Sequence, residues 1–174
     1  MNLNVRWLVG LWIGAAPLLA QTSAVQVRVQ RLGSVRYNTV TDAGWNGWAV
    51  QAERSQFGTN RLGWLAGAEV GYTGWGNQLL AKSGIQYALL RSSRLTSTAR
   101  LYAMPGLVLF RPRSLFAYRA GGEVVGSYAL GNRLGLLAAA GLAYSACPAY
   151  ERYGTISRYW DVPLSVGIQW QQHR

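Results

Sequence analysis

The 174-residue chain has one cysteine, Cys147, and one histidine, His173. A single cysteine cannot form an internal disulfide, and a Cys/His metal site needs more ligands than these two residues supply. Charge is scarce as well. Charged residues make up 13% of the chain, about half the ~25% usual in soluble domains. Only 6 residues are acidic, against 17 basic ones. After residue 20 no long hydrophobic run exists; the nearest, Leu134 to Ala146, is short and rich in Ala and Gly. A membrane helix needs roughly 20 apolar residues. Any membrane crossing by the body of this chain must therefore be made by strands.

What is plentiful is glycine, tryptophan and tyrosine: Gly 21, Trp 8 and Tyr 10. Hydrophobic residues reach 50%, yet the mean hydropathy is only +0.04. The net charge is +11 and Lys82 is the only lysine, so arginine carries nearly all the positive charge. Such a balance points first to nucleic acid or to an anionic surface. The N-terminus separates the two. Met1 to Arg6 carries one positive charge, Trp7 to Ala20 is apolar, and a small residue, Ala20, precedes Gln21. This is the layout of a secretory signal peptide. The expected division is a cleaved signal peptide at 1–20 and one barrel domain at 21–174, and export argues against nucleic acid as a partner.

The strand pattern is clearest near the end of the chain. Trp160, Val162, Leu164, Val166, Ile168 and Trp170 alternate with Asp161, Pro163, Ser165, Gly167 and Gln169. One face is wholly apolar with tryptophan at both ends, as in a strand crossing a bilayer at a tilt. The same period of two recurs over 25–29, 48–55, 62–72, 81–89, 101–109, 116–128 and 134–145. The expected fold is all-β: an eight-stranded antiparallel up-and-down transmembrane barrel. Short turns are expected at Gly58-Thr59-Asn60, over Arg91 to Ser97 and at Gly131-Asn132-Arg133, with the termini on the same side. Tight turns at Trp75-Gly76 and Arg111-Pro112-Arg113, and longer loops at 33–46 and 146–158, fall at the other end. Pro105 and Pro163 sit inside strands and predict bulges or earlier strand ends there.

This phasing also sorts the charges. Glu53, Glu69, Glu123 and Asp161 point inward, and so do Arg28, Lys82, Arg100 and Arg119. The lumen is then balanced, with Glu69 and Lys82 expected directly opposite each other across the β-hairpin. Paired charges of both signs suit a plugged barrel, since a selectivity ring would be single-signed. Trp48, Trp64, Tyr72, Trp75, Tyr128, Tyr144, Trp160 and Trp170 are expected at the membrane interfaces. The remaining arginines crowd the rims. Arg36, Tyr37, Trp45, Arg111, Arg113, Tyr150, Arg152, Tyr153 and Arg158 are the candidate contacts of the outer loops.

The signal peptide, the eight alternating segments, the aromatic strand ends and the terminal strand Trp160 to Trp170 together resemble the small eight-stranded outer-membrane barrels of Gram-negative bacteria, the OmpA/OmpX-like group. The resemblance covers the mature chain and is architectural. It implies outer-membrane lipid as the surroundings, with lipopolysaccharide phosphates within reach of the outer arginines. It also implies the barrel assembly machinery as a partner and a monomeric state. No cofactor site is evident. The expected role is non-enzymatic: structural, or adhesive through the loops. A barrel enzyme acting on lipid A or phospholipid would need a placed general base, and His173 lies beyond the expected end of the last strand at Trp170. That enzyme and a narrow channel are the two alternatives.

Overall fold

A computed structural model describes residues 22–35, 47–58, 60–73, 75–110, 113–153 and 157–173. The expected signal peptide and the loop residues Arg36, Tyr37, Trp45 and Arg111 lie outside the described residues, as do the side chains of Arg113 and Tyr153. Among the described residues the strands are β1 (Thr22–Val35), β2 (Gly47–Phe57), β3 (Leu62–Thr73), β4 (Gly76–Arg91), β5 (Leu95–Phe110), β6 (Arg113–Ala129), β7 (Leu134–Ala146) and β8 (Arg158–His173). Each pairs antiparallel with its neighbours in sequence, and β1 pairs with β8 to close the barrel. A 3₁₀ helix, Pro148–Tyr153, lies between β7 and β8.

The alternation decides which face each residue takes. In β2, Trp48, Val50, Ala52 and Arg54 are exposed, while Ala49, Gln51, Glu53 and Ser55 are buried. Long polar side chains fill the lumen because glycines opposite them leave room. Gly67 lies directly between Glu53 on β2 and Lys82 on β4. A Cβ at Gly67 would strike the Ala52 carbonyl oxygen and the backbone and Cβ of Glu53. Leu137, which interrupts the pattern of β7, points inward and packs with Val125 and Ala139.

The even strand count brings both termini to one end, where Thr22 pairs with His173. The β2–β3, β4–β5 and β6–β7 turns share this terminal end. The opposite, far end carries the β3–β4 hairpin loop and the 3₁₀ helix. The Arg91 to Ser97 link is shorter than its polarity implies, because β4 runs to Arg91 and β5 begins at Leu95.

Two register expectations are corrected. Glu69 faces Leu80 and Lys82 faces Gly67, so Glu69 and Lys82 are not opposite each other. The last hairpin pair is Thr73 with Gly76, which takes φ 110°. The turn is thus centred one residue earlier than Trp75-Gly76, and moving a turn centre by one shifts every cross-strand partner by two. The prolines do not produce bulges either. Pro105 pairs in register with Tyr118 on β6, and Pro163 with Leu32 on β1. The pairing is interrupted only on the other side of each, toward β4 and β7, and resumes in unchanged register. A strand residue's N–H serves one neighbour only, so proline weakens one ladder and spares the other. The irregularity in the β4–β5 ladder lies between Ala88 and Leu90 instead.

Gly67→Val is expected to lower stability by about 1–3 kcal/mol through overpacking. Gly126→Ala, where an added Cβ meets nothing within 4 Å, is expected to leave it unchanged. Urea midpoints at constant slope measure both.

Candidate functional site

Every strand sends a polar side chain into a hydrogen-bonded network in the lumen. Its largest part joins Arg28, Glu53, Lys82, Arg100 and Glu123. The Arg28 guanidinium grips Glu123 through both nitrogens at 3.0 Å and reaches Glu53 at 2.8 Å. Lys82 Nζ lies 2.8 Å from Glu123 and 3.1 Å from Glu53. Arg100 donates to Glu53 at 2.5 Å and lies 3.4 Å from Glu123. Lys82 also sits over the Tyr102 ring, 4.3 Å from its centroid.

A second part joins Glu69, Arg119 and Asp161. Arg119 reaches Glu69 at 2.6 Å and Asp161 at 3.3 Å. Ser145 accepts from Arg119 Nε at 3.0 Å and donates to Asp161 at 2.5 Å. Gln51 links the two parts, accepting from Arg28 at 2.6 Å and donating to Glu69 at 2.6 Å. Gln78 donates to the other Glu69 oxygen at 2.8 Å. Arg28, Glu53, Glu69, Lys82, Arg100, Arg119, Glu123 and Asp161 are all buried. The structure therefore brings the eight expected lumen charges together, in two groups. One holds three cations and two carboxylates, the other one cation and two carboxylates. Glu53, Arg100 and Glu123 lie in the terminal halves of their strands, and Glu69, Arg119 and Asp161 in the far halves. The neutral relays Gln51, Gln78 and Ser145 were not singled out from the sequence. Their signal was present, as polar residues at inward positions, but uncharged side chains draw no attention there.

An aromatic cluster packs at the far end of the lumen. Trp75, Val108, Ala117, Cys147 and Tyr159 are buried together, with Leu115 and Tyr150 packed against them. Tyr159 meets Trp75 edge-on with ring centroids 4.5 Å apart, and Tyr150 stacks on it at 6.0 Å. The Tyr150 hydroxyl donates to the Trp75 carbonyl at 2.8 Å. This corrects two expectations. Trp75 is not an interface aromatic, because it lies in the hairpin loop, where strand alternation no longer governs, and folds over the lumen. Tyr150 is not an outward loop contact, because the 3₁₀ helix turns it onto Trp75. Burial pushes the Cys147 thiol pKa up, so the reactive thiolate is disfavoured.

The other expected aromatics lie outside. Trp48, Tyr72, Tyr128, Trp160 and Trp170 are exposed, and Trp64 and Tyr144 are half-buried. Tyr144 packs edge-on against Trp160 at 5.4 Å, and Arg31 lies over Trp48 at 5.9 Å. Arg152 and Arg158 are exposed at the far end. Arg158 pairs with Glu151, and its hydrogen bonds hold the Glu151 carboxyl below the usual carboxylate range.

Glu123→Ala would strand Arg28, Lys82 and Arg100 around a missing carboxylate. The expected loss is about 3–5 kcal/mol, the cost of breaking a buried pair from one side. Glu151→Ala, at the exposed pair, is expected to move the same urea midpoint far less.

No family model matches the chain, and no curated protein is similar to it in sequence. Solved structures are similar in shape. Neisserial surface protein A aligns with a TM-score of 0.58 at 15% identity, covering 85% of this chain and 96% of its own. The outer membrane protein OprG from Pseudomonas aeruginosa aligns at 0.48 with 10% identity, covering 90% and 98%. Ail, the attachment invasion locus protein of Yersinia pestis, solved with the heparin analogue sucrose octasulfate, aligns at 0.46 with 11% identity, covering 89% and 100%. The likeness to the first establishes the fold: a small, closed, eight-stranded antiparallel up-and-down barrel.

Proposed function

We propose that this chain is an integral outer-membrane barrel, exported by the signal peptide at 1–20, that works without catalysis or conduction through contacts at its far end. One observation carries the membrane assignment: the barrel is inside out. Eight charged side chains are buried in the lumen, while Val29, Val50, Val70, Ile85, Leu101, Leu136 and Val166 stand exposed on the outer wall. In water such a wall would be a large unprotected apolar surface; in lipid it is the required one. The dimensions agree. Trp160 to Trp170 covers eleven residues on β8, ten steps that together make about 33 Å along a strand and about 25 Å along the normal at a tilt of ~40°.

Two further features support the finer role. The ion network and the aromatic cluster fill the lumen in depth, which favours a closed barrel over a channel. Arginines border the far-end aromatics, Arg31 beside Trp48 and Arg158 at the start of β8. Guanidinium groups at that height suit the phosphates of lipopolysaccharide. The contact surface is then the far end, facing outward, with the termini in the periplasm.

Membrane fractionation and gel mobility test the assignment. The chain is expected to stay in the membrane through a carbonate wash and to migrate differently before and after boiling. Val166→Arg, on the exposed wall near the middle of β8, is expected to cost about 2–4 kcal/mol of folding stability in lipid. Release by carbonate without a mobility shift, or a neutral effect of Val166→Arg, would refute the membrane reading. Planar-bilayer recording is expected to give no conductance; steady single-channel currents would refute the plug.

A further inference from the structure

The terminal end of the lumen is built differently from the far end. A cavity of about 310 Å³ opens there, between the turns and the ion network. That volume lies at the lower end of small-molecule sites, ~300–1,000 Å³. Hydroxyl, amide and guanidinium groups from six strands line it, and no carboxylate is among the described lining residues. None of the acidic residues of the sequence falls in the terminal-end turns.

Two side chains of the lining carry a buried donor without a partner among the described residues. Arg100 and Thr98 both line it and are 3% and 7% exposed. The Arg100 Nε and the Thr98 hydroxyl make no hydrogen bond among the described residues and lie beneath the cavity wall, not open to it. Ser127, also in the lining, is already held by Thr96 and Gln169, and so is fixed in place. At the mouth stand Arg91 and Arg94. Arg91 is steadied by the Phe57 ring, 4.5 Å from its centroid. Behind Arg100 lies the part of the ion network with three cations and two carboxylates, so the floor of the cavity also carries surplus positive charge.

A buried N–H or hydroxyl without a partner costs free energy unless something completes it. Donors without acceptors, a cationic mouth and a cationic floor all select the same chemistry. We propose that the terminal-end cavity binds a small oxyanion, a phosphate or sulfate group or a compact monoester of one, that is drawn in by Arg91 and Arg94 and accepts from Thr98 and Arg100 once their side chains turn toward it. The site does not depend on what the far end contacts.

The test uses the full barrel folded in nanodiscs of zwitterionic phosphatidylcholine and titrated with inorganic phosphate, read by amide NMR. Saturating shifts are expected at Thr98, Arg100 and Ser127. Thr98→Val is nearly isosteric and Arg94→Gln is at an exposed turn, so both variants should keep the boiled-versus-unboiled mobility shift of the parent. Each is expected to weaken the phosphate affinity about tenfold, the loss of one strong hydrogen bond or charge contact. A second arm omits free phosphate and replaces part of the lipid with phosphatidylglycerol. Shifts of the same amides in that arm identify the bound group as a lipid headgroup phosphate; shifts only with free phosphate identify a soluble ligand. Shifts that fail to saturate, that chloride reproduces at equal ionic strength, or that both variants leave untouched would overturn the site.

Discussion

The bidentate grip of Arg28 on Glu123 across the lumen is the contact on which the rest of the barrel turns. Burying either charge alone would cost several kcal/mol. Both are tolerable because each has further partners: Glu53 and Gln51 for Arg28, Lys82 and Arg100 for Glu123. An eight-stranded barrel has little interior to fill with apolar side chains once its outer wall is apolar. Charged and amide side chains reaching across the lumen do the filling instead. They also fix the register. A slip of one residue would turn every charge outward. A slip of two would keep the faces but move a charge about 7 Å along its strand, out of reach of its partner.

The sorting of residues into faces was legible in the sequence, because period two is a local signal that needs no partner. It placed all eight lumen charges inside, and it placed Trp48, Tyr72, Tyr128, Trp160 and Trp170 outside. Pairing was less legible. Which residue meets Glu69 depends on where the β3–β4 turn is centred, and Trp75 with Gly76 looks like a turn centre as plausibly as the true one. Trp75 and Tyr150 were misplaced for a related reason. They lie beyond the strand ends, where alternation stops and only the closing of the lumen decides where a ring packs. The prolines were over-read: Pro105 and Pro163 lose one hydrogen bond on one side, and the intact ladder on the other side holds the register. The terminal cavity had no linear signature, since its lining comes from six strands.

The two ends of the lumen are thus chemically opposite although the strands are continuous. At the far end, apolar and aromatic side chains pack together. At the terminal end, small hydroxyl residues such as Ser55, Thr98 and Ser127 leave space that no side chain fills. Side-chain size explains the difference. Trp75, Tyr150 and Tyr159 bring three rings together at the far end.

Closure of the barrel is itself coupled to charge. The inner strands β2 to β6 carry Glu53, Glu69, Lys82, Arg100, Arg119 and Glu123 into the lumen, three of each sign, so these strands are balanced before the ends of the chain meet. The seam strands add one charge each: Arg28 on β1 and Asp161 on β8. They do not pair with each other. Arg28 enters the group around Glu53 and Glu123, and Asp161 joins Arg119 and Ser145. Without β1, the first group would hold two cations and two carboxylates; without β8, the second would be the single pair Arg119–Glu69. Each group is neutral without its own seam strand. Seam closure then deposits opposite charges into different groups, and Gln51 lets those groups share hydrogen bonds. The lumen as a whole stays neutral while the group around Glu53 and Glu123 becomes cationic and the group around Glu69 anionic, so the seam that completes the wall also sets the charge of each group.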